Sequence, residues 1–363
     1  MKRNRMRRLT IRRSKKKSKK DVYVSGPINV EVLENKELDM IVYLYSDEHN
    51  SRAYSCTDLN DNTFSIEKYL YNIFSTTTKY IDFYLEAPFI QIEDEIGSPS
   101  DQDKRLHLNN SKYDETYLVR TRELFSYYGC FYRLKKDCQR KFPKVRFHAI
   151  DYRYNFTRKS IIIQDLQELL DNLIKLVNTD FDNNFSKIQK ITKKLLKILY
   201  KFNTYDKYLD LIKKCLKDKK IKKQITRCTK KIQGNIDNFF QKLLLKYEQI
   251  YTNVYNYFCE KIISKLESIS INNPPIMLRT EYMFFYRIII ETESIIMDKY
   301  TLGRLLKKYK KHHEKHKINI IYAGGSHILN YKLFLVKELK FKVINRSTFI
   351  KKRCHNLKGI HNV

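Results

Sequence analysis

Tryptophan is absent from this chain, and glycine and proline are scarce, with 8 and 6 among 363 residues. So few turn-formers argue against a loop-rich or propeller-like design. No apolar run approaches the roughly 18–20 residues of a membrane span. The best candidate, 282–297, is interrupted by Arg287, Glu291 and Glu293. The amino end lacks the apolar core of a secretory signal. The seven cysteines are scattered, odd in number and without a CxxC pair, so the expectation is reduced thiols in a cytosolic setting. Acids are also in short supply: 40 Asp and Glu face 72 Lys and Arg, giving a net charge of +32.

What is present begins with that charge. The first twenty residues hold twelve Lys or Arg and no acid. Residues 2–20 read as a disordered basic tail that could bind nucleic acid through its phosphates, or an anionic surface. Beyond the tail, the hydrophobic fraction of 42%, with 28 Tyr and 20 Phe, supports an aromatic-rich core.

Two stretches more than 270 residues apart share one shape. Met40 to Tyr45 is a strand-like run followed by Ser46-Asp47-Glu48-His49. Ile318 to Ala323 is a second, followed by Gly324-Gly325-Ser326-His327. A third run, Tyr80 to Leu85, ends in Glu86, and a fourth, Val145 to Ile150, leads into Asp151-Tyr152-Arg153. In α/β sheets, ligands gather beyond the carboxyl ends of strands. These residues are therefore expected to face one pocket.

Between the strands, Ile66 to Phe74 and Glu115 to Cys138 predict helices, and Glu93 to Ser111 a long loop. From Ser160 to Lys317 the chain turns to Lys-rich amphipathic segments, with breaks at 178–184 and 270–275. A helix from Ser326 to about Lys340 and a strand around Phe341 to Ile344 follow. The expected fold class is α/β, a mostly parallel sheet with flanking helices, interrupted by a long helical insertion. The divisions are 1–20 (tail), 21–159 (first half of the α/β domain), 160–317 (insertion) and 318–363 (second half).

The candidate site follows from residue type. His49 lies beside Asp47 and Glu48, carboxylates that could orient it or raise its pKa. Glu86 closes an apolar strand, where an unpaired buried carboxylate would be costly. Gly324 and Gly325 permit a sharp turn, and Ser326 is placed as a helix N-cap before His327. Arg146, His148, Asp151 and Arg153 alternate along the fourth strand and its exit, some as supporting ion pairs. His312, His313 and His316 have helical chelate spacing, but Lys310, Lys311, Lys315 and Lys317 around them would repel a cation.

The order of these motifs resembles the superfamily that includes TraB, the Tiki proteases, the ChaN-like proteins and the erythromycin esterases, and more closely its members in large DNA viruses. Its signature is two G-x-x-H motifs near opposite ends of an α/β domain, with an acid and an arginine between. Gly324 to His327 matches the second motif fully; Ser46 to His49 matches the first with Ser46 in place of glycine. Asp82 to Glu86 looks like the acid-bearing strand and Arg146 to Arg153 like the arginine-bearing one, and Asp298-x-Tyr300-x-Leu302-x-Arg304 is also similar.

The resemblance implies a hydrolase of an ester or peptide bond whose substrate is unknown. In a metal-dependent version, His49, Glu86 and His327 would hold a divalent ion. In a metal-free version, His49 with Glu48 would activate water while Arg153 or His327 stabilises the oxyanion. The alternative is a non-enzymatic viral accessory protein that binds nucleic acid or a host protein through its tail and helices. Either would act in the cytoplasm or nucleus of an infected cell, or in the virion.

Deleting residues 1–20 is expected to leave the melting temperature nearly unchanged, because the tail has few apolar residues to offset its ordering entropy. It should weaken DNA or RNA binding and flatten its salt dependence. A large loss of thermal stability on deletion would show that the tail packs on the body.

Overall fold

A six-stranded sheet forms from runs in which successive side chains alternate between two buried faces. A computed structural model describes residues 22–48, 56, 63–88, 116–131, 136–153, 168–169, 171–173, 175–176, 181–201, 205–268, 276–308, 317–351 and 354–357. The basic tail, His49, the 93–111 loop and the 312–316 histidines lie outside them.

The elements run β1 (Tyr23–Ser25), β2 (Asn29–Asn35), β3 (Met40–Asp47), β4 (Thr63–Ser65), α1 (Ile66–Thr76), β5 (Ile81–Pro88), α2 (Tyr117–Tyr127), α3 (Lys136–Lys141) and β6 (Val145–Asp151). The helical segment follows with α4 (Phe181–Lys201), α5 (Tyr205–Leu216), α6 (Lys219–Ile225), α7 (Lys230–Ser268) and α8 (Ile276–Leu306). Then come β7 (Lys317–Gly324), α9 (Gly325–Leu333) with a π turn over Phe334–Glu338, β8 (Lys342–Arg346), β9 (Thr348–Lys351) and β10 (Cys354–Asn356).

The large sheet has the order β6-β5-β7-β3-β2-β8. The four strands expected from the sequence are consecutive parallel neighbours within it. The sheet as a whole is mixed, not mostly parallel, because β2 runs antiparallel to both β3 and β8. A second, small sheet has the order β4-β1-β10-β9.

Alternation along β5 sorts the core. Phe83 and Leu85 point to the face covered by α1 and α2, where Phe74, Phe125, Phe142 and Phe147 join Phe83 in an aromatic cluster. Each such ring pair is worth about 0.5–1.5 kcal/mol beyond its buried area. Asp82, Tyr84 and Glu86 point to the other face, which packs on the helical segment through Ile212, Ile225, Ile236, Ile295 and Leu302. The insertion is thus docked on the sheet. Tyr152 stacks on Tyr300 of α8 at 4.8 Å, and its hydroxyl donates to Asp218, the N-cap of α6, at 3.0 Å.

Three local expectations need correction. The single helix foreseen over 115–138 is two, because the chain turns at Gly129 with φ of 68° before α3. Helix α9 starts at Gly325 with Gly324 as its N-cap, so Ser326 lies inside the first turn. The thiols are not all reduced: Cys56 is bonded to Cys354, and Cys130 to Cys138. The first bond spans 298 residues and depends on β10 pairing with β1, a contact no cysteine spacing could show. Among the described residues, no helix is long and apolar enough to cross a membrane.

With four of the seven cysteines in disulfides, the denatured, unreduced protein should titrate no more than three thiols. After reduction it should titrate seven. Seven before reduction would place the chain in its dithiol form.

Candidate functional site

The β3–β7 pairing sets the geometry of the site. Met40 lies opposite Lys317 and Asp47 opposite Gly324, so the two motifs end at one level of the sheet. Gly325 makes the close approach possible. A Cβ there would stand 3.3 Å from the Ser46 hydroxyl and 3.7 Å from the Asp47 carbonyl. β5 pairs with β7 on the other side, with Leu85 opposite Tyr322, which brings Glu86 to the start of α9.

Glu86 is 6% exposed and its carboxylate is held from three directions. The Gly324 amide donates to Oε2 at 2.7 Å, and Arg153 Nη2 donates to Oε1 at 2.9 Å. His327 Nε2 lies 3.4 Å from the same Oε1. Helix N-termini favour anions, and here the anion beside the start of α9 is the protein's own carboxylate. Arg153 is oriented in turn by Asp151, which accepts from Nε at 2.8 Å and from Nη2 at 3.0 Å. Among the described residues, none of its hydrogen bonds uses Nη1.

His327 is buried on the inner side of α9, and its Nδ1 lies 2.6 Å from Asp298 Oδ1. Asp298 is fully buried on α8 and accepts from Asn330 Nδ2 at 2.8 Å through its other oxygen. Burial pulls the imidazole pKa down, but the charges of Asp298 and then Glu86 outweigh it, and the pKa is pushed up to about 10. His327 is therefore an imidazolium at neutral pH, with Nδ1 donating to Asp298 and Nε2 facing Glu86 as an ion pair. Glu86, Arg153, Asp151, His327 and Asp298 make one buried ion cluster at the strand carboxyl ends.

The remaining candidates divide. Asp47 faces the opposite side of the sheet, where Oδ2 accepts from the Leu118 amide at 3.0 Å and caps α2. Its role there is to anchor a helix. Glu48 is exposed. Arg146 and His148 belong to a separate network near the amino end of β5: Arg146 binds Asp82 through Nε at 2.8 Å and Nη2 at 2.6 Å, and His148 Nε2 meets Asp82 Oδ1 at 2.7 Å. Arg304 of α8 donates to His148 Nδ1 at 3.1 Å. Arginine has no acceptor, so Nδ1 holds a lone pair and the ring is the neutral tautomer protonated on Nε2. Burial raises the Asp82 pKa, but the bonds from His148 and Arg146 overcome it and hold it below the usual carboxylate range.

Sequence reasoning did not place Asp298 or Asn330 in the site. A signal existed in the apolar run at 282–297 that its charged residues interrupt, leading into Asp298. Of those charges, Glu293 acts on Arg153 at the exit of β6.

The metal set expected from the sequence is described only in part, since His49 lies outside the described residues. Among the described residues no group of three or more His, Cys, Asp or Glu could hold a metal ion. The arrangement suits proton holding and oxyanion stabilisation. Comparison of the chain with known protein families, with characterised proteins and with solved structures returns no match.

The linkage of His327 gives a sign. Its folded pKa of about 10 lies above the unfolded value of about 6.5. The stability it contributes is fully present below about pH 6.5 and is lost as pH rises toward 10. By NMR its imidazole should not titrate between about pH 6 and 8, and Asp298→Asn should bring its midpoint down. A midpoint near 6.5 in the parent would refute the imidazolium.

Proposed function

We propose that this chain hydrolyses an ester or peptide bond by a metal-free route, as a distant member of the superfamily its motifs resemble. The observation that carries the reading is the convergence of Glu86, Arg153, His327 and Asp298 at the strand carboxyl ends, where β3 also releases the segment containing His49.

The roles follow from protonation. Water attacking an acyl carbon needs a base with a free lone pair, and His327 as an imidazolium has none. That role falls to His49, with Glu48 beside it in sequence. The carbonyl oxygen gains negative charge as the tetrahedral intermediate forms, and preorganised cations lower that barrier. Arg153 is held rigid by Asp151 and Glu86 and leaves Nη1 for the oxyanion. His327 is the second positive group and holds Glu86 in place. Asp298 keeps His327 protonated. A viral origin, and action inside an infected cell, belong to the same proposal.

A broad screen of ester and peptide substrates on the purified chain should find a hydrolytic activity that survives exhaustive chelation. His49→Ala, His327→Gln and Arg153→Met should each lower kcat about 100-fold or more, in line with loss of a general base or an oxyanion donor, while far-ultraviolet circular dichroism stays unchanged. Stoichiometric metal on the purified protein, with activity lost on its removal, would favour the metal-dependent route. No turnover of any substrate, with nucleic-acid binding retained, would favour the non-enzymatic reading.

A further inference from the structure

The amino ends of β5 and β6 carry a surface that the candidate site does not use. They are joined where the Ile81 amide donates to the Lys144 carbonyl at 2.9 Å and Ile81 pairs with Val145. Two stretches of chain enter there, 68–81 and 138–146, and neither contains an acid. Next to the strand ends they supply Lys79, Arg140, Lys141 and Lys144, with Tyr71 and Tyr80 among them.

The cations are set on the rings. Lys144 Nζ lies 4.1 Å from the centroid of the Tyr80 ring, and Lys141 Nζ 5.1 Å from that of Tyr71. An ammonium is attracted to the negative face of an aromatic ring, which holds each pair together at the surface. Tyr71 is fixed in turn by Phe142, edge-on at 5.6 Å, and by Tyr128 at 5.9 Å. The loop bearing Lys79 and Tyr80 is closed by Thr77. Its hydroxyl accepts from the Lys79 amide at 3.1 Å and donates to the Lys79 carbonyl at 3.0 Å. Helix α3 is tied to the end of α2 by the Cys130–Cys138 bond, and its one acid, Asp137, meets Arg140 at 3.4 Å. Tyr80 is nevertheless 40% exposed, and Lys79, Arg140 and Lys141 are exposed beside it.

Exposed rings interleaved with cations suit a single strand of nucleic acid. Phosphates pair with the cations, and a base of any kind stacks on a ring. A lipid surface would call for a group of apolar side chains instead. The other exposed large hydrophobics among the described residues, Ile28, Leu245, Leu329 and Ile344, lie on other elements. We propose that Lys79, Tyr80, Arg140, Lys141 and Lys144 form a binding surface for single-stranded nucleic acid on the body of the protein, separate from the basic tail. It lies at the opposite end of β5 from Glu86, about 20 Å along the strand, and so stands apart from the ion cluster.

The test is fluorescence anisotropy of the full chain with a short oligothymidine across a salt series. Lys79→Gln, Lys141→Gln and Lys144→Gln combined should weaken binding about tenfold or more. The same variant should lower the slope of log affinity against log salt by about 2, since each neutralised phosphate of a single strand contributes about 0.7. Tyr80→Ala should weaken binding several-fold at an unchanged slope, because stacking releases no counterion, and Tyr80→Phe should restore it. Photocrosslinking of a 5-iodouracil oligonucleotide to the parent chain maps the contact with no substitution, and should label the peptide carrying Tyr80. Crosslinks confined to residues 1–20, or parent-like affinity and slope in the lysine variant, would assign the binding to the tail and overturn the proposal. Loss of binding in the lysine variant with no effect of Tyr80→Ala would also overturn it, leaving a surface for anions in general. Full competition by anionic phospholipid vesicles would overturn it in favour of a membrane.

Discussion

The register between β3 and β7 is the constraint on which the rest of the molecule depends. Eight residues of one strand lie beside eight of the other, joined by segments more than 270 residues apart. Closing so long a loop is entropically costly, and it is repaid through fully buried side chains on both faces: Val42 and Ile321 on one, Tyr45 and Tyr322 on the other. A slip of one residue would send each of these to the wrong face and move Gly324 away from Glu86. The site is thus a product of register before it is a product of any single side chain.

Given that register, burial of charge becomes tolerable. An isolated carboxylate at the position of Glu86 would be neutralised or expelled. Here it meets a backbone amide from β7, a guanidinium from the exit of β6 and an imidazolium from α9. Asp298 completes the set from α8, so the helical segment is part of the site. Removing one member strands the others in a low-dielectric interior, where an unpaired charge is more damaging than the net worth of the pair.

How much of this the sequence disclosed depends on the length of each pattern. Strands β3 and β7 were legible as mainly apolar runs ending at a polar break, and β5 and β6 as short alternating runs that end in charged residues. Strand β2 was not, since Glu31 and Glu34 interrupt it and Glu31 is buried only through Lys332 and Arg346, which lie far along the chain. The small sheet was illegible for a simpler reason: its strands are three or four residues long. Glu86, His327 and Arg153 were foreseen and meet. Arg146 and His148 were foreseen beside them but pair with Asp82 instead, because side chains two residues apart share a face while advancing along it. Asp298 was hidden, since a helix of mixed polarity does not announce which of its charges turns inward.

The two charged clusters are joined through one helix. Asp298 and Arg304 sit on α8 about 9 Å apart along its axis, the first holding His327 and the second holding His148. Both clusters also share β5, through Glu86 and Asp82. A rigid-body shift of α8 against the sheet would lengthen both sets of bonds together. At the carboxyl end the bonds of His327 to Asp298 and of Arg153 to Glu86 resist such a shift. At the amino end the two bonds of Arg304 to His148 resist it in the same way. The position of α8 therefore governs the bond that keeps His327 protonated and the His148 network together, a coupling that rests on two contacts of one helix.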